Sequence, residues 1–127
     1  MKKLIIIAFL IASCTAGSPW TKVPLLGDEH YYIDLTTILK NGNLRKVWEL
    51  SDLKKPNEDG AKSERIRMEY DCYGERGKVL AIEHYSENMG KGKVIRTINC
   101  VENKTCWWDN ISPNTVGAVK LDHICKD

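Results

Sequence analysis

Residues Arg65 to Cys72 constrain the fold more than any other stretch of this chain. Ile66, Met68, Tyr70 and Cys72 alternate there with Arg65, Arg67, Glu69 and Asp71. A period of two places the two sets on opposite sides of an extended backbone, so the segment is a strand with one apolar face. A lone strand cannot bury that face, and partners are in reach. Lys78 to Tyr85 is denser in apolar residues, with Val79, Ala81 and Tyr85 on one side and Leu80, Ile82 and His84 on the other, as in a central strand covered on both faces. The turn Tyr73–Gly77 is short enough to join the two as an antiparallel hairpin. Leu44–Ser51 reads as a third strand, with Trp48 and Leu50 on one face and Val47 on the other, and Val94–Val101 as a fourth.

Turn-forming clusters at Gly27-Asp28, Asn41-Gly42-Asn43, Asn57–Gly60, Gly74–Gly77 and Gly90–Gly92 punctuate these runs, which predicts a mostly antiparallel sheet. Asp52–Ser63 is polar and basic and reads as a loop with scope for motion. From Pro113 to Cys125 the period changes, because Ala118, Leu121 and Cys125 fall at i, i+3 and i+7. That spacing predicts a short amphipathic helix, weakened by Gly117 by roughly 1 kcal/mol relative to Ala and therefore dependent on tertiary contacts.

The N-terminus has another purpose. Met1-Lys2-Lys3 precedes the apolar run Leu4–Ala12, and Ile11-Ala12-Ser13 leads into Cys14. A charged start, an apolar core and small residues before a cysteine describe a lipoprotein signal peptide, cleaved so that Cys14 becomes an acylated N-terminus. The run is too short to span a bilayer: nine helical residues rise about 13 Å against a hydrocarbon core of about 30 Å. Thr15 stands where an Asp would signal retention at the inner membrane, which favours the outer membrane. The expected organisation is a leader over 1–13, a lipidated tether over 14–19 and one domain over 20–127. Loss of the leader removes Lys2 and Lys3 from 19 basic residues and leaves a near balance with the 17 acidic ones. No global field then steers the chain toward nucleic acid.

Assigning Cys14 to lipid turns an odd count of five cysteines into four, which in an oxidising envelope give two disulfides in one of three connectivities. Cys100 and Cys106 flank Val101–Thr105, whose Glu102-Asn103-Lys104 can reverse the chain, so a bond across a hairpin neck is expected. Its complement, Cys72 with Cys125, would staple the C-terminal helix to the middle of the sheet.

Seven pieces in order carry a resemblance: Trp20-Thr21-Lys22-Val23, Tyr31-Tyr32-Ile33-Asp34, Lys46-Val47-Trp48-Glu49-Leu50, Glu69-Tyr70-Asp71-Cys72, Tyr85-Ser86-Glu87-Asn88-Met89-Gly90, Trp108–Pro113 and Ile124-Cys125. No one of them is specific, but their order over nearly the whole mature chain resembles the surface-adhesin protein E family of bacterial lipoproteins. The resemblance implies an α+β fold: an antiparallel sheet of about six strands with one C-terminal helix packed on it and tethered by a disulfide. It also implies a surface protein that binds host extracellular-matrix proteins such as vitronectin and laminin. Cys100 and Cys106 depart from the family pattern. A homodimer is compatible with this reading, and so, as an alternative function, is a periplasm-facing lipoprotein that inhibits or caps an enzyme such as lysozyme.

Catalytic chemistry is not suggested. Ser63 and Ser86 lack a nucleophile-elbow context, and the carboxylates have no fixed pairing. His30, His84 and His123 show no metal-type spacing, so neither metal nor cofactor is implied; only a meeting of His84 and His123 between sheet and helix would reopen zinc or haem. Gly90-Lys91-Gly92-Lys93 lacks the spacing of a phosphate loop and reads as a turn. The candidate contact residues are aromatic and basic. Trp48 and Tyr70 read as core, while adjacent Trp107 and Trp108 cannot both face inward from a regular strand. Lys62, Arg65 and Arg67, extended by Lys54, Lys55, Lys91 and Lys93, form the candidate patch for acidic matrix proteins or glycosaminoglycans.

Overall fold

The computed structural model describes residues 18–24 and 30–126. The leader, Cys14 and the Gly27-Asp28 turn lie outside the described residues. Seven strands and one helix follow in chain order: β1 (Thr21–Lys22), β2 (His30–Asn41), β3 (Leu44–Asp52), β4 (Ser63–Asp71), β5 (Arg76–Tyr85), β6 (Val94–Asn99), β7 (Asp109–Asn110) and α1 (Val116–Ile124). Strands β1 to β6 lie side by side in sequence order, all antiparallel, and the two-residue β7 pairs with the start of β5. The α+β architecture is thus the expected one, six strands in a row with one C-terminal helix.

Strands β3 and β5 match the period-two runs, extended by one and two residues; β4 starts two residues earlier than expected and ends at Asp71, one short of Cys72, and β6 ends at Asn99, two short of Val101. The β2–β3 hairpin closes over two residues, Gly42 and Asn43, with Gly42 at φ +59°, a conformation L side chains avoid. The β4–β5 turn is held by Asp71, whose Oδ1 accepts from the Tyr73 and Gly74 amides at 3.2 and 3.0 Å, while Arg76 Nε donates to its Oδ2 at 3.0 Å. The Gly74 amide first, then the Arg76 guanidinium, and least the Tyr73 amide, hold the Asp71 carboxyl below the usual range.

Two irregularities hid parts of the sheet. In β2 the register jumps between Asp34 and Leu39, so the alternation that marks a strand is broken. Threonines fill the gap: Thr37 Oγ1 accepts the Trp48 amide at 3.0 Å, and Thr36 donates to Asp34 Oδ1. In β5 a bulge falls at Leu80, since Arg67 opposes Ala81 but Met68 opposes Val79. Val79 therefore faces the same side as Ile82, not the side shared by Ala81 and Tyr85.

One face of the sheet carries the helix. Val23, Ile33, Val47 and Tyr70 pack there against Leu121 and Ile124, all buried. Helix α1 starts at Thr115, whose hydroxyl accepts from the Ala118 amide at 3.2 Å. Gly117 has a packing reason: a Cβ there would come within 3.3 Å of Ile111 Cγ2. Cys72, just past β4, is bonded to Cys125, just past α1, with Cα atoms 5.8 Å apart. Cys100 is bonded to Cys106, but the chain returns to β5 through β7 and not alongside β6, so this bond closes a compact loop and not a hairpin.

The helix side also buries charge. Glu49, 1% exposed, accepts from the Tyr70 hydroxyl and lies 2.7 Å from Lys120 Nζ. Burial first, then the neighbouring Glu49 charge, pushes the Tyr70 phenol far above its ordinary value. The Asp52–Ser63 segment is internally bonded: Asn57 Oδ1 accepts from the Asp59 and Ala61 amides at 3.0 and 2.9 Å, and the Asn57 amide donates to the Ala61 carbonyl at 2.9 Å. Ser63 and Asp52 in turn bind the short 3-10 turn Asn88–Gly90.

Candidate binding face

Because Val47 and Tyr70 point to the helix, their strand neighbours Trp48, Arg65 and Arg67 point to the opposite face, one end of which the Asn88–Gly90 turn covers over Leu50 and Ser63. Cross-strand register sets Trp48 directly opposite Arg67 and Leu50 opposite Arg65. The result is a stack. Arg65 lies 4.5 Å and Arg67 5.4 Å from the Trp48 ring, and Arg65 also reaches the Trp20 ring at 5.9 Å. Trp48 is therefore not a core residue; it is half-buried because two guanidiniums cover its ring.

Further along the same face Lys46, Glu69 and Lys78 are aligned across β3, β4 and β5, with Lys78 Nζ 3.2 Å from Glu69. Lys78 and Arg76 lie 4.4 and 4.6 Å from the Trp108 ring, repeating the cation–aromatic arrangement. Lys22, Lys46, Arg65, Arg67, Arg76 and Lys78 thus share this face with the carboxylates Asp34, Asp52, Glu69, Asp71 and Glu83.

The cations are not equivalent. Arg76 is tied to Asp71 and Lys78 to Glu69, and Arg65 donates to the Tyr85 hydroxyl at 3.3 Å, which itself donates to Glu83. Arg67 has no carboxylate within ion-pair distance among the described residues, and Trp48 fixes its orientation. A guanidinium held on an aromatic ring loses little conformational freedom on pairing with a carboxylate, carbonyl or sulfate from outside. Chemically, the face can bind an acidic or polar partner surface.

The residues singled out by sequence are distributed as follows. Arg65 and Arg67 meet at Trp48. Trp108 is half-buried under Arg76 and Lys78 on this outer face, while Trp107 is 65% exposed. Lys62 precedes β4 out of phase with Arg65 and Arg67; it is exposed and does not join the Trp48 stack. Trp20, Arg76 and Lys78 were not legible as contacts, because each meets its partner across more than 25 residues of chain. His84 faces Asn57, whereas His123 lies beside Val23 and Ile33, so the two do not meet. Among the described residues no group of three or more His, Cys, Asp or Glu could hold a metal ion.

A cleft of about 300 Å³ lies between α1, Ile111 and the helix side of β4 and β5, lined by Ile66, Met68, Val79 and Ile82. Its buried carboxylate, Glu49, is already engaged by Tyr70 and Lys120. No helix among the described residues is long and apolar enough to cross a membrane.

No curated protein matches the chain. Solved structures of Haemophilus influenzae protein E match its fold. One, from a non-typeable strain, has a TM-score of 0.62 at 17% identity and covers 85% of this chain and 76% of its own. A second H. influenzae protein E structure gives 0.62 at 16%, covering 85% and 94%, and crystal form II gives 0.61 at 18%, covering 75% and 79%. The family model for surface-adhesin protein E matches residues 20–126, from the Trp20 of the stack to the residue after the helix staple, and the chain therefore belongs to the surface-adhesin protein E family.

Proposed function

We propose that this protein is an outer-membrane lipoprotein, anchored through Cys14, that displays its domain at the cell surface and binds host extracellular-matrix proteins such as vitronectin and laminin. Its work is binding, not catalysis. The observation that carries the reading is the Arg65–Trp48–Arg67 stack on the face opposite the helix, with Arg67 oriented by the ring and lacking a carboxylate partner among the described residues. Buried or oriented Arg and Trp side chains are the residue types that dominate binding energy at protein interfaces. The ligand chemistry is an acidic, solvent-exposed segment, which Arg67 can pair with and the three tryptophans can pack against.

Solid-phase binding of the protein to vitronectin and laminin, repeated for the Arg65→Glu/Arg67→Glu variant and across a salt series, tests this. Saturable binding that weakens with salt and falls in the variant supports it. Absence of a saturable signal for both ligands would remove the adhesin reading. Protease shaving of intact cells tests the topology: removal of the domain is expected, and protection would place it facing the periplasm.

A further inference from the structure

The two arginines of the stack are engaged differently. Arg67 meets the Trp48 ring and no carboxylate among the described residues. Arg65 lies over two rings, Trp48 and Trp20, and its Nη1 donates to the Tyr85 hydroxyl at 3.3 Å. That hydroxyl donates in turn to Glu83, the residue directly opposite Arg65 on β5. The Arg65 Nε is buried and has no hydrogen-bond acceptor among the described residues. A guanidinium built to grip a partner keeps its fork of donors open to solvent, whereas this one has turned donors inward.

The Asn88–Gly90 turn holds it there. A Cβ on Gly90 would stand 3.4 Å from Arg65 Cδ, 3.5 Å from Arg65 Cγ and 3.5 Å from Leu50 Cδ1, so the turn's backbone rests on the arginine stem. Met89 and Gly90 are both left-handed, at φ +59° and +69°, a conformation that a Met keeps only where its surroundings enforce it. Here they do. Ser63 Oγ accepts from the Gly90 amide at 2.9 Å and donates to the Glu87 carbonyl at 2.6 Å. Asp52 Oδ1 accepts from the Met89 amide at 2.8 Å and from Asn88 Nδ2 at 3.0 Å. Ser63 is fully buried and stands two residues before Arg65 on the same face of β4, so the turn is fastened to the strand that carries the arginine.

We propose that Arg65 is a positioning residue of the binding face and not one of its contacts: pinned by the Asn88–Gly90 turn, it fixes the Trp48 and Trp20 rings, and Arg67 with those rings meets the partner. Trp20 depends on it most, because the adjoining β1 has only two residues. The inference rests on the binding role proposed above, but its first tests need no partner.

Nuclear magnetic resonance of the full chain, free of ligand, compares the Nε–H exchange of the two arginines. Arg65 is expected to exchange about tenfold more slowly than Arg67 or slower still, and equal rates overturn the proposal. Ser63→Ala, which removes the buried anchor of the turn without adding bulk, should bring the Arg65 rate toward that of Arg67; an unchanged rate shows that the turn does not pin Arg65. Arg65→Met keeps a long stem and loses the guanidinium. The Trp20 indole should then become mobile by its heteronuclear Overhauser effect, and an indole as rigid as before overturns the proposal. Vitronectin binding across a salt series separates positioning from contact. Arg67→Met should flatten the salt dependence, whereas Arg65→Met should weaken binding with the slope retained; equal flattening in both makes Arg65 a contact and overturns the proposal. Absence of vitronectin and laminin binding would remove the adhesin reading, while the exchange and indole results would still decide whether Arg65 is pinned and holds Trp20.

Discussion

Tyr70, Glu49 and Lys120 show how single residues set both stability and its pH range. Glu49 is 1% exposed, so removing its cation leaves a nearly buried charge with only a phenol for company. Lys120→Ala should cost about 3 kcal/mol in a urea unfolding series, and Glu49→Leu/Lys120→Met should recover most of it by replacing the pair with apolar contacts. Asp71 gives the acid-side effect. Its carboxyl is held below the usual range in the fold, so its contribution is complete above the unfolded value of about 4 and is lost as pH falls through the folded value. Asp71→Asn should therefore reduce stability at pH 7 and make the remaining stability less sensitive to pH below about 4, as measured by thermal unfolding across pH. At this scale the sequence was legible for Tyr70, which alternation placed in the core, and misleading for Trp48. Alternation shows that Trp48 and Val47 face opposite ways, but it cannot show which face the helix covers.

Elements were legible wherever their period was unbroken. Strands β3, β4 and β5 and helix α1 follow the patterns of two and 3.6, while β2, the longest strand, is interrupted by a bulge that Thr36 and Thr37 satisfy with side-chain hydrogen bonds. The β5 bulge at Leu80 similarly reversed the face assigned to Val79. Helix α1 is only nine residues long and contains Gly117, so its stability comes from docking. Cys72–Cys125 enforces that docking across 53 residues of chain, and the chain-entropy model gives about 4 kcal/mol for a loop of this length. Cys100–Cys106, which spans a separation of 6, should contribute about 2 kcal/mol. Replacing Cys72 and Cys125 by serine should accordingly lower the melting temperature clearly more than replacing Cys100 and Cys106. Equal losses would show that the staple does not act through the unfolded chain.

Across the whole molecule, the helix and its disulfide close one face of the sheet and leave the other to present a cation–aromatic surface. Part of that surface could be read beforehand, because Arg65 and Arg67 fall on the same side of one strand. The rest could not, because Trp20, Trp108, Arg76 and Lys78 come from segments that only the folded sheet brings together. The basic residues that looked clustered in the sequence are divided by the fold: Arg65 and Arg67 are ordered on Trp48, while Lys62 stands apart. Charge at the stack should therefore matter more than equal charge elsewhere. The most direct measurement is saturation binding of the full chain to immobilised vitronectin and laminin, comparing the unmodified protein with Arg67→Glu and Lys62→Glu, each checked for unchanged near-ultraviolet circular dichroism. The account predicts saturable binding that drops about tenfold or more in Arg67→Glu and much less in Lys62→Glu. Binding to neither ligand, or binding that Arg67→Glu leaves intact, would contradict it.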